Sequence, residues 1–334
     1  MFEFGPSGNV IWSRPLPDAF QPLPNPAVEA SPAIGDTGFG IPAIEAGVIG
    51  ISIYSLDPGT GNTNWGWPQK AADTTFSTAA IANVNGHQQI IAGSDSTGDS
   101  PGHTGALNNW DGGSVRSLDA NGNTLWTIPN NEVVTSSPAV GNLDGSGPEV
   151  VFGHGSWWKQ SDSTGLTAAS AATGQVLWES HLNGYTPASP ALADLVGNGQ
   201  LDIVEPTSTA PGQSNGGDVY AFRPDGSTLW GPVVLPNPPL APGNPNTIYG
   251  GVATADFGEG YQDVVVGAGF GWDILDGRTG SVVTNQGLGV NWDGNVGNLS
   301  MQNTPLVTPD PTGNGVDVVM AGTYSAANGD FNQG

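Results

Sequence analysis

The chain contains no cysteine. That excludes a disulfide framework and any thiol chemistry. Basic residues are nearly as scarce: 6 Lys and Arg stand against 30 Asp and Glu, for a net charge of −24. A nucleic-acid binder needs a basic footprint, and an anionic membrane surface would repel this chain, so neither partner is expected. No apolar run approaches the ~20 residues of a membrane span, which argues against membrane insertion. The start, Met1-Phe-Glu-Phe-Gly-Pro, shows no basic stretch leading into an apolar one, so no signal peptide is visible. Only 11% of residues are charged. Gly, Asn, Ser and Thr supply much of the remaining surface, a texture commoner in secreted proteins. An extracellular location is expected, with any signal removed or outside this chain.

What the chain has in excess is Gly (52) and Pro (28) among 334 residues. Many tight turns between short strands account for both. Two motifs alternate along the sequence. The first ends in Trp: Gly5–Trp12, Gly59–Trp65, Asp119–Trp126, Ala172–Trp178 and Pro224–Trp230, with a sixth copy, Asp276–Val283, that lacks the Trp. The second runs from small residues through an acidic or amide turn into a β-branched run. Its clearest copies are Ser136–Gly153 and Ala188–Val204, with weaker ones near Ser31, Ser77, Gly250 and Asn303.

Each unit therefore reads strand, turn, strand, long loop, strand, tight turn, strand. Four strands in about 50 residues is the period of a propeller blade. The sequence predicts an all-β fold: a single β-propeller domain over 1–334, built of four-stranded antiparallel blades. The count gives six blades; seven or eight, or a fragment of such a parent, are the alternatives. The chain starts and stops inside a unit, so the strand at 2–12 is expected to complete the last blade beside 316–321 or its blade partner, removing free sheet edges. A Trp at one fixed place per blade reads as packing, and Trp178 is expected to be almost fully buried.

The second motif resembles the FG-GAP or VCBS repeats of integrin-α-like propellers, whose turns follow Asp-x-Asx-x-Asx-Gly-x-x-Asp. The Trp motif is similar to that of quinoprotein-like propellers, where the Trp packs between blades. The first resemblance implies calcium as a cofactor, held at positions that map onto Asp194, Asn198 and Asp202, and onto Asn142, Asp144 and Ser146. No copy matches the full pattern; position three of the first turn is Val196. Asx residues also stabilise such turns simply by capping backbone amides. The quinoprotein resemblance implies architecture only. Its dehydrogenases pair adjacent cysteines at their cofactor, and this chain has none.

Long loops of variable length tend to carry function. Here they hold His154, Trp157, Trp158, Lys159, Trp110 and Trp272, outside the repeat-conforming positions. Aromatic faces beside polar groups suit a polyhydroxylated sugar. The expected function is a non-catalytic extracellular recognition module that binds glycan or an extracellular protein on its long-loop face. The alternative is a propeller-fold enzyme degrading polysaccharide, a lyase or a hydrolase, with Lys159 the candidate base of a lyase. No catalytic set stands out. The four His form no ligand-spaced motif, and neither a Gly-x-Ser-x-Gly elbow nor a phosphate loop is present.

Overall fold

The computed structural model describes residues 1–17, 19, 28, 30–38, 40, 42–48, 52–71, 75–95, 112–155, 164–209, 217–236, 248–268, 271–287, 298–300, 304–313, 315–320 and 323–325. Every regular element among them is a strand. The strands are β1 (Phe2–Phe4) and β2 (Val10–Ser13), then β3 (Ala33–Asp36), β4 (Pro42–Gly47), β5 (Ser52–Leu56) and β6 (Gln69–Lys70). Next come β7 (Ala80–Val84), β8 (His87–Asp95), β9 (Gly113–Leu118) and β10 (Thr124–Asn130). They are followed by β11 (Ala139–Gly141), β12 (Glu149–His154), β13 (Gly165–Ser170) and β14 (Val176–His181). The next four are β15 (Ala191–Ala193), β16 (Asp202–Pro206), β17 (Asp218–Phe222) and β18 (Thr228–Val234). The last two groups are β19 (Ala253–Ala255), β20 (Asp263–Ala268), β21 (Gly271–Leu275) and β22 (Val282–Gly287), and β23 (Asn298–Ser300), β24 (Leu306–Pro309), β25 (Val316–Val319) and β26 (Thr323–Ser325).

Strands β3 to β22 form five four-stranded sheets, each taken in chain order, as a propeller of antiparallel blades requires. The remaining strands pair as β1–β2, β24–β25 and β23–β26. The 2–12 segment is thus a hairpin with its own two-stranded sheet, and 316–319 pairs with 306–309. A pairing of 2–12 with 316–321 or its blade partner is not among the described sheets.

Burial follows strand position. The second and third strands of each blade are covered on both faces and read as near-continuous runs, such as Asp202–Pro206 and Asp218–Phe222, buried throughout. Sheets sandwiched on both sides demand that pattern. Outer strands are more open, as in β14, where exposed and half-buried residues alternate from Leu177 to His181.

Two compact units divide the chain: residues 1–140, 147–150 and 169–177 in one, and 141–146, 151–168 and 178–334 in the other. In the first, Ile44, Ala46, Val48, Tyr54 and Leu56 pack with Trp12 and Leu16, while Ile53 and Trp67 pack with Ile90, Ala92 and Leu118 of the next blade. In the second, Val204, Val219 and Ala221 pack with Val264, Val266 and Leu275. On the other side of the same sheet, Ile203, Tyr220 and Phe222 meet Val151, Leu166 and Ala168.

The repeat Trp ties neighbouring blades. The indole N–H donates to a backbone carbonyl one or two residues past the third strand of the next blade: Trp12 to Pro58, Trp126 to Ala171, Trp178 to Pro224 and Trp230 to Gly277, at 2.7–2.9 Å. A buried indole thereby satisfies its donor while covering a large apolar area. The tight turn that follows holds a glycine beneath the ring. Gly226 has φ +81°, and a Cβ there would stand 2.7 Å from the Trp178 ring. Gly280, at φ +71°, has the same relation to Trp230.

Two expectations are corrected. Trp65 is not a packing residue: it is 82% exposed, and Trp67 takes the slot, donating to the carbonyl of Ala120 at 3.0 Å. The cause is a longer connection in that blade, where Thr63 bridges Leu56 and Trp67 N–H turns back to the carbonyl of Asn64. Trp178 is half-buried, less than expected, while Trp12, Trp67, Trp126 and Trp230 are buried.

Candidate functional site

The blade register shows which side chains break the repeat. Ala191 pairs with Val204, Ala253 with Val265, Ala33 with Glu45 and Ala80 with Ile91. One residue further along the second strand, the blades carry Glu205, Val266, Ala46 and Ala92 in equivalent places. Among these four blades the slot is apolar except at Glu205.

Glu205 is wholly buried, and neither carboxyl oxygen has a hydrogen-bond partner. Oε1 and the Thr186 hydroxyl both face Gly153: a Cβ there would stand 2.5 Å from each. Only a residue without a side chain leaves that space. Removing a carboxylate from water without compensating donors favours the neutral acid. Burial accordingly pushes Glu205 well above the ordinary carboxylate range.

The surrounding elements lie at the long-loop end of the blade. Tyr185 and Ser208 exchange backbone hydrogen bonds at 2.8 and 3.1 Å, tying the segment that leads into β15 to the one that leaves β16. Tyr185 is buried, which raises its phenol, and its hydrogen bond with Tyr249 raises it further. Tyr249 is 38% exposed. At the start of β17, Asp218 is buried and its carboxyl is raised by that burial. Its backbone N–H donates to Thr207 Oγ1 at 3.1 Å, and its carbonyl accepts from Thr207 N–H at 2.8 Å.

The residues singled out from sequence fall into three groups. Trp110, Trp157, Trp158 and Lys159 lie outside the described residues. His154 ends β12, buried, with Nε2 3.0 Å from Thr167 Oγ1. Trp272 is half-buried on β21, opposite Gly267.

In the acidic turns, Asp194, Asn198, Asn142 and Asp144 turn oxygens to their own backbone, while Asp202 Oδ2 is buried without a partner. Asp194 accepts from the N–H groups of Gly197, Asn198 and Gly199 at 2.7–2.9 Å. Burial pulls its carboxyl upward, and those amides outweigh it and hold the group low. Asp202, at 4% exposure, is raised by burial against an opposing backbone bond from Leu195. Asn198 Oδ1 accepts from Gln200 N–H, Asn142 Oδ1 from Gly145 N–H and Asp144 Oδ1 from Ser146 N–H. Hydrogen bonds from Ser146, side chain and backbone, hold Asp144 below its ordinary value. Among the described residues, no group of three or more His, Cys, Asp or Glu is arranged to hold a metal.

No family model matches the chain, and no curated protein matches it. Solved structures do. A europium-containing methanol dehydrogenase superposes with TM-score 0.53 at 16% identity, over 78% of this chain and 51% of its own. The quinohemoprotein alcohol dehydrogenase of Comamonas testosteroni gives 0.54 at 17%, over 80% and 44%. A quinohemoprotein alcohol dehydrogenase of Pseudomonas putida HK5 gives 0.55 at 14%, over 89% and 52%. The shared fold is a β-propeller of four-stranded blades. The chain spans about half the length of these proteins, and at such identity the likeness shows fold alone.

These matches correct one expectation. The three solved propellers named above are dehydrogenases, so the likeness runs against the expected non-catalytic recognition module and gives it no support. The chain has no cysteine, so it carries neither a Cys-x-x-Cys-His haem attachment nor the adjacent-cysteine pair that the quinoprotein resemblance implies.

Among the described residues, no helix is long and apolar enough to cross a membrane.

Proposed function

We propose that the chain is an extracellular propeller-fold enzyme that cleaves polysaccharide, with Glu205 as its proton donor. The observation that carries this is the placement of Glu205: an ionisable side chain, both oxygens unpartnered, in a slot that is apolar in the blades of Val266, Ala46 and Ala92. An unpartnered buried carboxyl costs stability. Carboxyls with values displaced by burial are what general-acid chemistry near neutral pH requires.

Three further observations support the reading. Folds matched by the chain are those of enzymes. Tyr249, the exposed partner of Tyr185, offers an aromatic face at the same end of the blade. A net charge of −24 repels anionic ligands at long range and so favours an uncharged glycan. Glu205 is enclosed in this state, and catalysis in this reading requires local opening of the elements around it. The FG-GAP-like turns serve as scaffold in this reading, and the location outside the cell rests on composition.

The test is Glu205→Gln, which keeps shape and removes the transferable proton. The variant should melt at or above the wild-type temperature and lose at least about 100-fold in cleavage of uncharged polysaccharides, the usual scale of general-acid catalysis. Full activity in a folded Glu205→Gln protein overturns the assignment.

A further inference from the structure

Strand register places a second carboxylate on the same sheet face as Glu205. Glu205 pairs with Tyr220, and Ile203 with Phe222. Continuing that alternation sets Thr207 opposite Asp218, as their two hydrogen bonds show. Side chains two apart on a strand share a face. Glu205, Thr207, Tyr220 and Asp218 therefore lie on one face of the β16–β17 ladder, the face on which Ile203 and Tyr220 meet Val151, Leu166 and Ala168.

Glu205 and Asp218 are diagonal neighbours across that ladder. Diagonal positions lie about 7–8 Å apart. Both residues flank the 207–217 connection, at the end of the blade where the long loops are. Of the two, Glu205 is enclosed completely and Asp218 is 7% exposed.

Glycoside-cleaving carboxyl pairs come in two spacings: about 5–5.5 Å where one attacks the sugar directly, and about 6.5–9.5 Å where a water fits between. The diagonal register sets the two backbones, not the two carboxyls, about 7–8 Å apart, and side chains leaving such positions can hold their carboxyls far enough apart for a water, as the wider class needs. We propose that Asp218 is the general base of a hydrolysis that inverts the anomeric centre, with Glu205 the general acid. This rests on the reading of Glu205 given above. Glu205 transfers its proton to the glycosidic oxygen as the C1–O bond breaks. Asp218 takes a proton from a water whose oxygen bonds to C1 from the opposite side. The products are a free alcohol and a hemiacetal of inverted configuration, with Glu205 ionised and Asp218 protonated; proton exchange with solvent restores both.

The experiment incubates the full chain with soluble uncharged glucans, mannans and xylans and follows the newly formed anomer by proton NMR before mutarotation. An anomer opposite to that of the cleaved linkage is expected. Asp218→Asn should lower kcat about 100-fold or more, leave KM within a few-fold, and abolish the acid limb of the pH–rate profile; a merely structural role would not remove that limb. Retained configuration, or full activity of a folded Asp218→Asn, overturns the assignment of Asp218 while leaving Glu205 in place. An unsaturated, ultraviolet-absorbing product shows elimination and overturns hydrolysis. Absence of cleavage on every substrate overturns both this inference and the function on which it rests.

Discussion

The indole Nε1 of Trp230 donates to the carbonyl of Gly277 at 2.7 Å, across the boundary between one blade and the next. The same residue is buried in the cluster that Val204, Val219 and Leu275 form. Truncating it removes both a large apolar contact and a satisfied donor. Trp230→Ala should cost about 3–5 kcal/mol, as large-to-small core changes do. Trp178→Ala should cost less, because Trp178 is only half-buried. Denaturant unfolding of the two variants side by side checks the order.

Trp65 and Trp67 stand two residues apart with opposite environments. Trp65→Ala should leave the melting temperature within about a degree of wild type, since surface changes stay within about 0.5 kcal/mol. Trp67→Ala should lower it by several degrees, because Trp67 is buried and hydrogen-bonded to Ala120. Equal effects would show that the slot is not filled as described.

Glu45 gives a pH signature. It is buried, one oxygen accepts from Ser55 Oγ at 2.7 Å, and burial raises its carboxyl from 4.5 to about 7, against that hydrogen bond. The unfolded chain releases the proton near 4.5 and the folded one near 7, so stability falls as pH rises between those values and is flat above. The loss is about 3 kcal/mol. Glu45→Gln should be near neutral at pH 4 and should raise the melting temperature at pH 8. A pH-independent difference between variant and wild type would contradict this.

Calcium should leave stability unchanged. Asp194 accepts three backbone N–H groups, and Asn142 and Asp144 are engaged likewise. A cation would have to displace donors already in place. Melting in chelator and in millimolar calcium should coincide; a rise with calcium, as mass action requires of a bound ligand, would restore the metal site at 194–202 or 142–149.

The blade period and its four strands are legible in the sequence because Trp and Asx-Gly turns recur at fixed phase. The displacement from Trp65 to Trp67 is not: both indoles lie in the motif, and only the length of the 57–68 connection decides which one reaches Ala120. Glu205 stands visibly in Asp202-Ile-Val-Glu-Pro, where alternation alone allows it to face solvent. Its enclosure follows from covering both faces of β16, a property of the assembled sheets. Asp218 becomes its neighbour only through strand pairing across a long connection, which local sequence cannot encode.

The Trp-to-carbonyl bonds also say where a gene for such a chain can be cut. Each indole belongs to one blade, while its acceptor and the glycine beneath it belong to the next. Recombination at the sheet boundary would therefore separate a lock from its key. A transplanted blade would carry an indole with no acceptor on one side and, on the other, a bare turn glycine with no ring to cover it. Exchanges that break instead within a blade, between its third-strand turn and its outer strand, keep every pair together, so the heritable module is offset from the structural one.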